Sequence, residues 1–99
     1  MPQYLIIAED GTDPEAPARR LAARPAHLAA LAPHVEAGEI IVGGALLDDA
    51  AGMTGSVVVV DFADRGALDA WLAEDPYVTG KVWQTITVRP IRLAIGGRK

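Results

Sequence analysis

Three runs of consecutive apolar residues, each about as long as a β-strand, constrain the fold of this chain more than any other feature. They lie in Tyr4–Ala8, Glu39–Val42 and Val57–Phe62. A strand with one face in water alternates apolar and polar residues, whereas consecutive apolar residues indicate burial on both faces of a sheet. The 99 residues suffice for a single domain, residues 1–99, and leave no segment for a second covering layer. We therefore expect the same sheet of a second copy to cover the back of the sheet, which gives a two-fold homodimer.

An Ala-rich segment between the first two runs predicts a helix in two pieces. Asp13-Pro14 predicts its start, because an aspartate before a proline is a common capping pair. Arg24-Pro25 predicts a break, since the residue before a proline avoids the helical conformation. Gly38 predicts the end of the second piece.

A second helix and a fourth strand follow the third apolar run. Asp64 predicts the start of the helix and Asp75-Pro76 its end, and Trp83–Ile95 is typical of a strand that Pro90 interrupts. The resulting order, β-α-β-β-α-β, is that of the ferredoxin-like α+β fold. We expect an antiparallel four-stranded sheet with two helices on one face.

His27 is the first candidate for a catalytic residue. Pro25 predicts a new helical start, or at least a kink, just before it, because proline suits the first turn of a helix. In a first turn the unpaired N–H groups make the potential positive, which favours a neutral imidazole that can accept a proton. The alternative is an ordinary half-buried histidine. His34, near the predicted helix end, is interpreted as structural.

Asp75 is the second candidate. It follows Glu74 at the end of the second helix, where the helix dipole disfavours a negative charge, and Pro76 predicts an extended backbone. One interpretation is a solvated aspartate that ends the helix. The functional interpretation is a carboxylate that faces His27 and orients or charges the imidazole.

Composition excludes several kinds of site. With no cysteine and two histidines, the chain lacks a thiolate nucleophile and the ligands of a sulfur-based or three-histidine metal centre, so we expect no metal and no cofactor. A net charge of -4 repels phosphate backbones and argues against nucleic acid as a partner. Because no apolar run approaches the roughly 20 residues of a membrane span, we expect a soluble, cytoplasmic protein without membrane contact.

Short motifs along the chain occur in the order seen in the YCII-related family, and the chain resembles this family over nearly its whole length. The combination of a His-Leu pair, paired glycines and Asp-Pro-Tyr is hard to produce by chance. The motifs are Arg24-Pro25-Ala26-His27-Leu28, Gly38, Gly43-Gly44-Ala45-Leu46, Gly55-Ser56, Asp75-Pro76-Tyr77 and Thr87-Val88-Arg89-Pro90.

The resemblance implies a dimeric α+β barrel, in which two ferredoxin-like units pair sheet to sheet. It also implies an active centre made of a histidine and an aspartate, which fall on His27 and Asp75 in this sequence. The reaction linked with the family is a lyase-like removal of chloride from a chlorinated, hydroxylated aromatic compound. Related barrels include muconolactone-type isomerases.

Two functions fit these residues. The first is a small cofactor-free lyase, of which a dehydrochlorinase is one example, or an isomerase, in which His27 moves a proton on a small cyclic or aromatic metabolite and Asp75 orients His27. The alternative is a non-catalytic binding or accessory module that holds a small metabolite in the same pocket. The residues expected to bind the small molecule are Arg24 for an anionic oxygen, Tyr77 for a hydroxyl or a stacking face, and the backbones of Gly43, Gly44, Gly55 and Ser56 for close approach.

Overall fold

Four strands and three helices make up residues 2–95, the part of the chain that this computed structural model describes. Apart from a short third helix, which the sequence analysis does not predict, the order is the expected β-α-β-β-α-β. The elements are β1 (Gln3–Asp10), α1 (Ala16–Glu36), β2 (Ile40–Leu47), β3 (Met53–Asp61), α2 (Arg65–Glu74), α3 (Pro76–Thr79) and β4 (Trp83–Ile91).

The strands form one antiparallel sheet in the order β2-β3-β1-β4. This is the ferredoxin-like arrangement that the sequence predicts. One face of the sheet, called the front face below, carries buried residues at alternate positions, among them Ile6, Ala8, Val58 and Val60. Residues from all three helices pack against it, so the hydrophobic core lies between the sheet and the helices.

The opposite surface of the sheet, called the back face, is apolar as well. Across β1 and β3, Leu5 pairs with Val59 and Ile7 with Val57, and all four side chains are half-buried. Val42 on β2 lies opposite Val59 and is 60% exposed. The consecutive apolar residues of the sequence are thus divided between a buried front face and a back face that retains contact with solvent.

The helix α1 is continuous over 21 residues, so the predicted break at Arg24-Pro25 is wrong. Pro25 lacks the N–H that would bind the carbonyl of Leu21, and Pro33 likewise frees the carbonyl of Ala29. Leu21 and Ala29 are both exposed, so water can bind the freed carbonyls and the helix continues. A solvent-facing proline is therefore tolerated in this helix.

The ends of α1 differ in part from the prediction. The helix begins at Ala16 without a side-chain cap, and the carboxylate of Asp13 binds Arg19 instead of a helix N–H. Gly38 follows the helix with a φ of 81°, a left-handed conformation that favours glycine and agrees with the predicted helix end. His27 lies in the interior of α1, and the prediction that it occupies a first helical turn is wrong because the helix does not restart at Pro25.

The strands also differ in length from the prediction. β2 runs to Leu47 instead of ending at Val42, because its second half pairs with the beginning of β3, as in the pair Ala45 and Ser56. β4 ends at Ile91, which pairs with Gln3 at the start of β1. Strand length follows the available pairing partners more than the residue types along the strand.

Candidate functional site

The carboxylate of Asp75 sits at the junction of α2 and α3. Pro76 forces the preceding residue into an extended conformation, with φ -66° and ψ 136°, and so ends α2 at the predicted place. The same proline begins α3, where Oδ2 of Asp75 accepts a hydrogen bond of 2.9 Å from the backbone N–H of Tyr77. The Asp-Pro-Tyr sequence therefore ends one helix, caps the next and holds the carboxylate in one position.

The same oxygen of Asp75 contacts His27 on α1. Nδ1 of His27 lies 2.7 Å from Oδ2 of Asp75, and the two side chains are 8% and 0% exposed. A carboxylate only accepts hydrogen bonds, so Nδ1 carries the hydrogen, and Nε2 of the neutral imidazole keeps its lone pair. Nε2 has no hydrogen-bond partner among residues 2–95, so it is available to accept a proton from a ligand.

Aromatic rings fix the plane of the imidazole. The rings of His27 and Tyr77 are stacked, with centroids 3.7 Å apart and planes 8° from parallel. Trp83 meets both rings edge-on, at 5.6 Å from His27 and 5.4 Å from Tyr77. Together with the bond to Asp75, this packing leaves the imidazole a single orientation.

The hydroxyl of Tyr77 is held in its neutral form. Burial raises the pKa of the Tyr77 phenol above its usual value, because the phenolate would lose its hydration, and the positive charges of Arg20 and Arg24 oppose this effect only in part. Tyr77 therefore retains its proton through the neutral and mildly alkaline range and is a hydrogen-bond donor there.

We expect this raised pKa to make the protein less stable in strong alkali. The unfolded chain releases the Tyr77 proton near pH 10 while the folded chain keeps it, so the stability present below pH 10 is lost as pH rises toward the folded pKa. Urea unfolding at about pH 8 and about pH 10.5 should show a smaller loss of stability for Tyr77→Phe than for the wild type. An equal loss in both proteins would assign the effect to other groups.

A buried ion pair adjoins the aromatic rings. Nη1 of Arg20 lies 2.9 and 3.0 Å from the two carboxylate oxygens of Asp10, and Nη2 donates a 2.9 Å hydrogen bond to Oγ of Ser56. Oγ of Ser56 also accepts a hydrogen bond from Nε1 of Trp83 at 3.2 Å. The guanidinium carbon of Arg20 is 4.9 Å from the centroid of the Tyr77 ring. The ion pair thus ties β1, α1 and β3 together beside His27.

The sequence analysis missed both members of this ion pair. Arg20 precedes His27 by seven residues, two helical turns, and so lies on the same face of α1. Asp10 continues the alternation of the buried residues Ile6 and Ala8 on β1. A charged residue at a position where the pattern predicts burial was the available signal.

A cavity of about 480 Å³ opens in front of His27, between α1 and the β2–β3 hairpin. Its volume is in the range of small-molecule sites. Asp75 does not line it and supports His27 from behind, whereas Arg24 is exposed at its edge with no ion-pair partner among the described residues. The predicted site residues that line the cavity are Arg24, His27, Gly43, Gly44, Ser56 and Tyr77.

The glycines of the predicted site lie in different environments. A side chain at Gly44 would meet open space, and one at Gly43 would make ordinary contacts with Val58 beside the cavity. Gly55 does not line the cavity, and a Cβ at this position would collide with the backbone oxygen of Ala8. Glycine at 55 therefore allows β1 and β3 to approach each other.

His34 lies apart from this cavity. Its Nδ1 is 2.8 Å from Oε1 of Glu39, and it borders a second cavity of about 520 Å³. Trp71, which borders the same cavity, is 7% exposed and belongs to the hydrophobic core.

None of the helices in residues 2–95 combines the length and the apolar character that crossing a membrane would require. Within the same residues, no group of three or more histidine, aspartate or glutamate side chains is placed to hold a metal ion.

Sequence comparison relates the chain to a family and to bacterial proteins. The model of the YCII-related domain matches residues 2–92. Protein YciI of Escherichia coli is 37% identical over 95 residues, which cover 90% of this chain and 95% of that protein. An uncharacterized protein of Haemophilus influenzae is 35% identical over the same shares of the two chains.

Solved structures share the fold. A 5-chloro-2-hydroxyhydroquinone dehydrochlorinase from Burkholderia phenoliruptrix, in complex with 2,5-dihydroxybenzoquinone, has a TM-score of 0.77 and 26% identity over 95% of both chains. A dimeric ferredoxin-like protein from Jannaschia has a TM-score of 0.54 and 18% identity over 94% of this chain and 100% of its own. At 18% identity, the likeness to the Jannaschia protein shows a common fold alone.

Proposed function

Because this chain belongs to the YCII-related domain family, we propose that it is a small enzyme of the lyase or isomerase type with His27 as its base. The observation that carries the proposal is the buried contact of 2.7 Å between His27 and Asp75 at the wall of a cavity. The dehydrochlorinase of similar fold is named for a chlorinated hydroxyhydroquinone. By extension, the substrate of this chain would be a small hydroxylated cyclic or aromatic metabolite.

The proposed chemistry begins with a proton transfer to Nε2 of His27. The substrate would lie with an acidic O–H or C–H against Nε2, and the electron pair of that bond would form a C=O or C=C bond. In a lyase reaction, an anion such as chloride then leaves with its own bonding pair. In an isomerase reaction, the imidazolium returns the proton to another carbon. Asp75 would orient the imidazole and stabilise its positive charge between the steps.

The remaining site residues would bind the substrate. Arg24 would hold an anionic oxygen, and the neutral hydroxyls of Tyr77 and Ser56 would donate hydrogen bonds. The substrate would approach closely over the backbone of Gly43-Gly44. Gly55 would contribute only through the close approach of β1 and β3 beside Ser56.

The proposal is tested by comparing the wild type with His27→Gln on lactones, chlorinated catechols and chlorinated hydroquinones. We expect at least one compound to be converted by the wild type, and His27→Gln to lower its kcat by about a hundredfold to ten-thousandfold, the usual contribution of a general base. Chloride release and ultraviolet absorbance measure the conversion. His34→Gln is the matched control on the same helix and should retain wild-type turnover.

Two outcomes would contradict the proposal. Undiminished turnover by a folded His27→Gln variant would exclude the imidazole as the base. Tight binding of a compound without any conversion would favour the alternative, a binding or accessory module that holds a small metabolite.

A homodimer formed through the back face completes the proposal. Leu5, Ile7, Val57 and Val59 form a continuous apolar surface that a second copy of the sheet would bury. Val59→Lys places a charge at the centre of this surface, between Leu5 and Val42, and should convert the dimer into monomers.

Light scattering after size exclusion measures this change. Leu21→Lys is the control, because Leu21 is 71% exposed on α1, and it should remain a dimer. A wild-type protein that is monomeric at micromolar concentration would end the dimer proposal.

A further inference from the structure

One stripe of α1 forms a wall of the cavity, and its chemical character changes along the helix. Arg20, Arg24, His27, Leu31 and Val35 follow one another at intervals of three or four residues and so share one helix face. The first two are cationic, the third is the imidazole and the last two are apolar. The stripe is about 22 Å long at 1.5 Å per residue.

The opposite wall changes in the same direction. Ser56 on β3 is bound to Arg20 and pairs with Ala45 on β2, which places the cationic end of α1 beside Ser56. Four residues further along β3, about 13 Å away, Val60 pairs with Ile40. Ile40, Ile41 and Val42 line the cavity there. The cavity therefore has a polar end and an apolar end, with His27 between them.

The polar end offers positive charge and hydrogen-bond donors. Asp10 neutralises Arg20, whereas Arg24 has no ion-pair partner among the described residues and borders the cavity. The oxygen of Ser56 already accepts two N–H groups, so its lone pairs are occupied and its O–H proton is free to be donated. An anionic oxygen matches this end.

The apolar end is incompletely covered in the single chain. Val35 is 42% exposed, and Leu28, also on the cavity wall, is 47% exposed. An apolar group placed in this end would bury these side chains together with its own surface.

We infer that the ligands of this site are amphipathic acids. A carboxylate or an ionised hydroxyl binds at Arg24 and Ser56, a ring lies against His27, and an apolar substituent extends between Val35 and Ile41. The placing of the reacting ring rests on the proposed function, whereas the preference for an acid and an apolar group rests on the two ends of the cavity alone.

Calorimetric titration of three related compounds tests the inference. Resorcinol is the common core, 2,4-dihydroxybenzoate adds a carboxylate, and 4-hexylresorcinol adds an apolar chain. We expect each addition to tighten binding at least about tenfold, since a charge-assisted hydrogen bond and several buried methylenes each suffice for that.

Two variants separate the ends of the cavity. Arg24→Gln should abolish the gain from the carboxylate and preserve the gain from the hexyl chain. Val35→Gln should reduce the hexyl gain severalfold and preserve the carboxylate gain. Arg65→Gln, which removes an arginine paired with Asp69 on α2, is the matched control and should preserve both gains.

Three results would each overturn the inference. The wild type could show no gain in affinity from the carboxylate or the hexyl chain, or all three compounds could fail to bind. The carboxylate gain could also survive in Arg24→Gln, or the hexyl gain in Val35→Gln. Both gains, without conversion of any lactone, chlorinated catechol or chlorinated hydroquinone by the wild type, would leave the inference standing and contradict the proposed enzyme. Conversion of simple neutral rings without either gain would support the proposed enzyme and contradict the inference.

Discussion

Replacing Asp10 by Asn should lower the free energy of unfolding by about 3–5 kcal/mol, because it leaves the guanidinium of Arg20 buried without a counter-charge. The side chains of this pair are 4% and 6% exposed, so water cannot replace the lost partner. The loss is large against the roughly 5–15 kcal/mol that stabilises a typical domain. Urea unfolding followed by circular dichroism measures it.

The chain contains its own control for this prediction. Asp13 pairs with Arg19, the residue just before Arg20 on α1. The side chains of Asp13 and Arg19 are 43% and 27% exposed. Asp13→Asn should therefore lower the free energy of unfolding far less than Asp10→Asn does. The double variant with Asp10→Leu and Arg20→Met removes both buried charges and should recover most of the stability lost in Asp10→Asn. Similar losses from Asp10→Asn and Asp13→Asn would show that burial does not set the strength of these pairs.

The second large effect is on catalysis. Asp75→Asn should lower kcat by about a hundredfold to ten-thousandfold on a compound that the wild type converts. An asparagine amide can donate a hydrogen bond to Nδ1 of His27, which moves the imidazole hydrogen to Nε2 and blocks proton acceptance there. It also removes the charge that stabilises the imidazolium. The same oxygen of Asp75 accepts both N–H groups, so an amide nitrogen that faces His27 leaves the N–H of Tyr77 without this acceptor, and we expect a modest loss of stability as well.

Glu74→Gln is the matched control for the change of charge. Glu74 precedes Asp75 in the chain but is exposed, and its substitution should leave turnover within about twofold of the wild type. Thermal unfolding of both variants separates a catalytic defect from a folding defect. Equal effects of the two substitutions on kcat would mean that Asp75 does not act through His27.

Local sequence signals predicted the parts of the fold that depend on local chemistry. Asp64 caps α2 through the N–H of Ala67, and Asp75 ends that helix because Pro76 follows it. The order of strands and helices follows from apolar runs and helix signals spread along the chain. These features can be predicted without knowing which helices and strands pack against each other.

The prediction failed where packing or solvent overrides a local preference. The break at Pro25 was inferred from the preference of the preceding residue for a non-helical backbone, but Arg24 is helical. The hydrogen bond that Pro25 removes is not needed, because Leu21 is exposed to water. The local settings left the contact between His27 and Asp75 as one of two interpretations, which the family resemblance favoured, and their side chains do meet. Asp10 and Arg20 each stand where the pattern of their own element predicts burial, but their pairing depends on how α1 and β1 come together in the fold.

One carboxylate oxygen of Asp75 receives both the ring N–H of His27 and the backbone N–H of Tyr77. Electron density drawn toward one donor is withdrawn from the other, so the two hydrogen bonds compete. A ligand that transfers a proton to His27 would strengthen the first bond and weaken the second. The amide resonance of Tyr77 in a nitrogen–proton correlation spectrum should therefore report the charge on the imidazole through the shared oxygen of Asp75. The ligand itself needs no label.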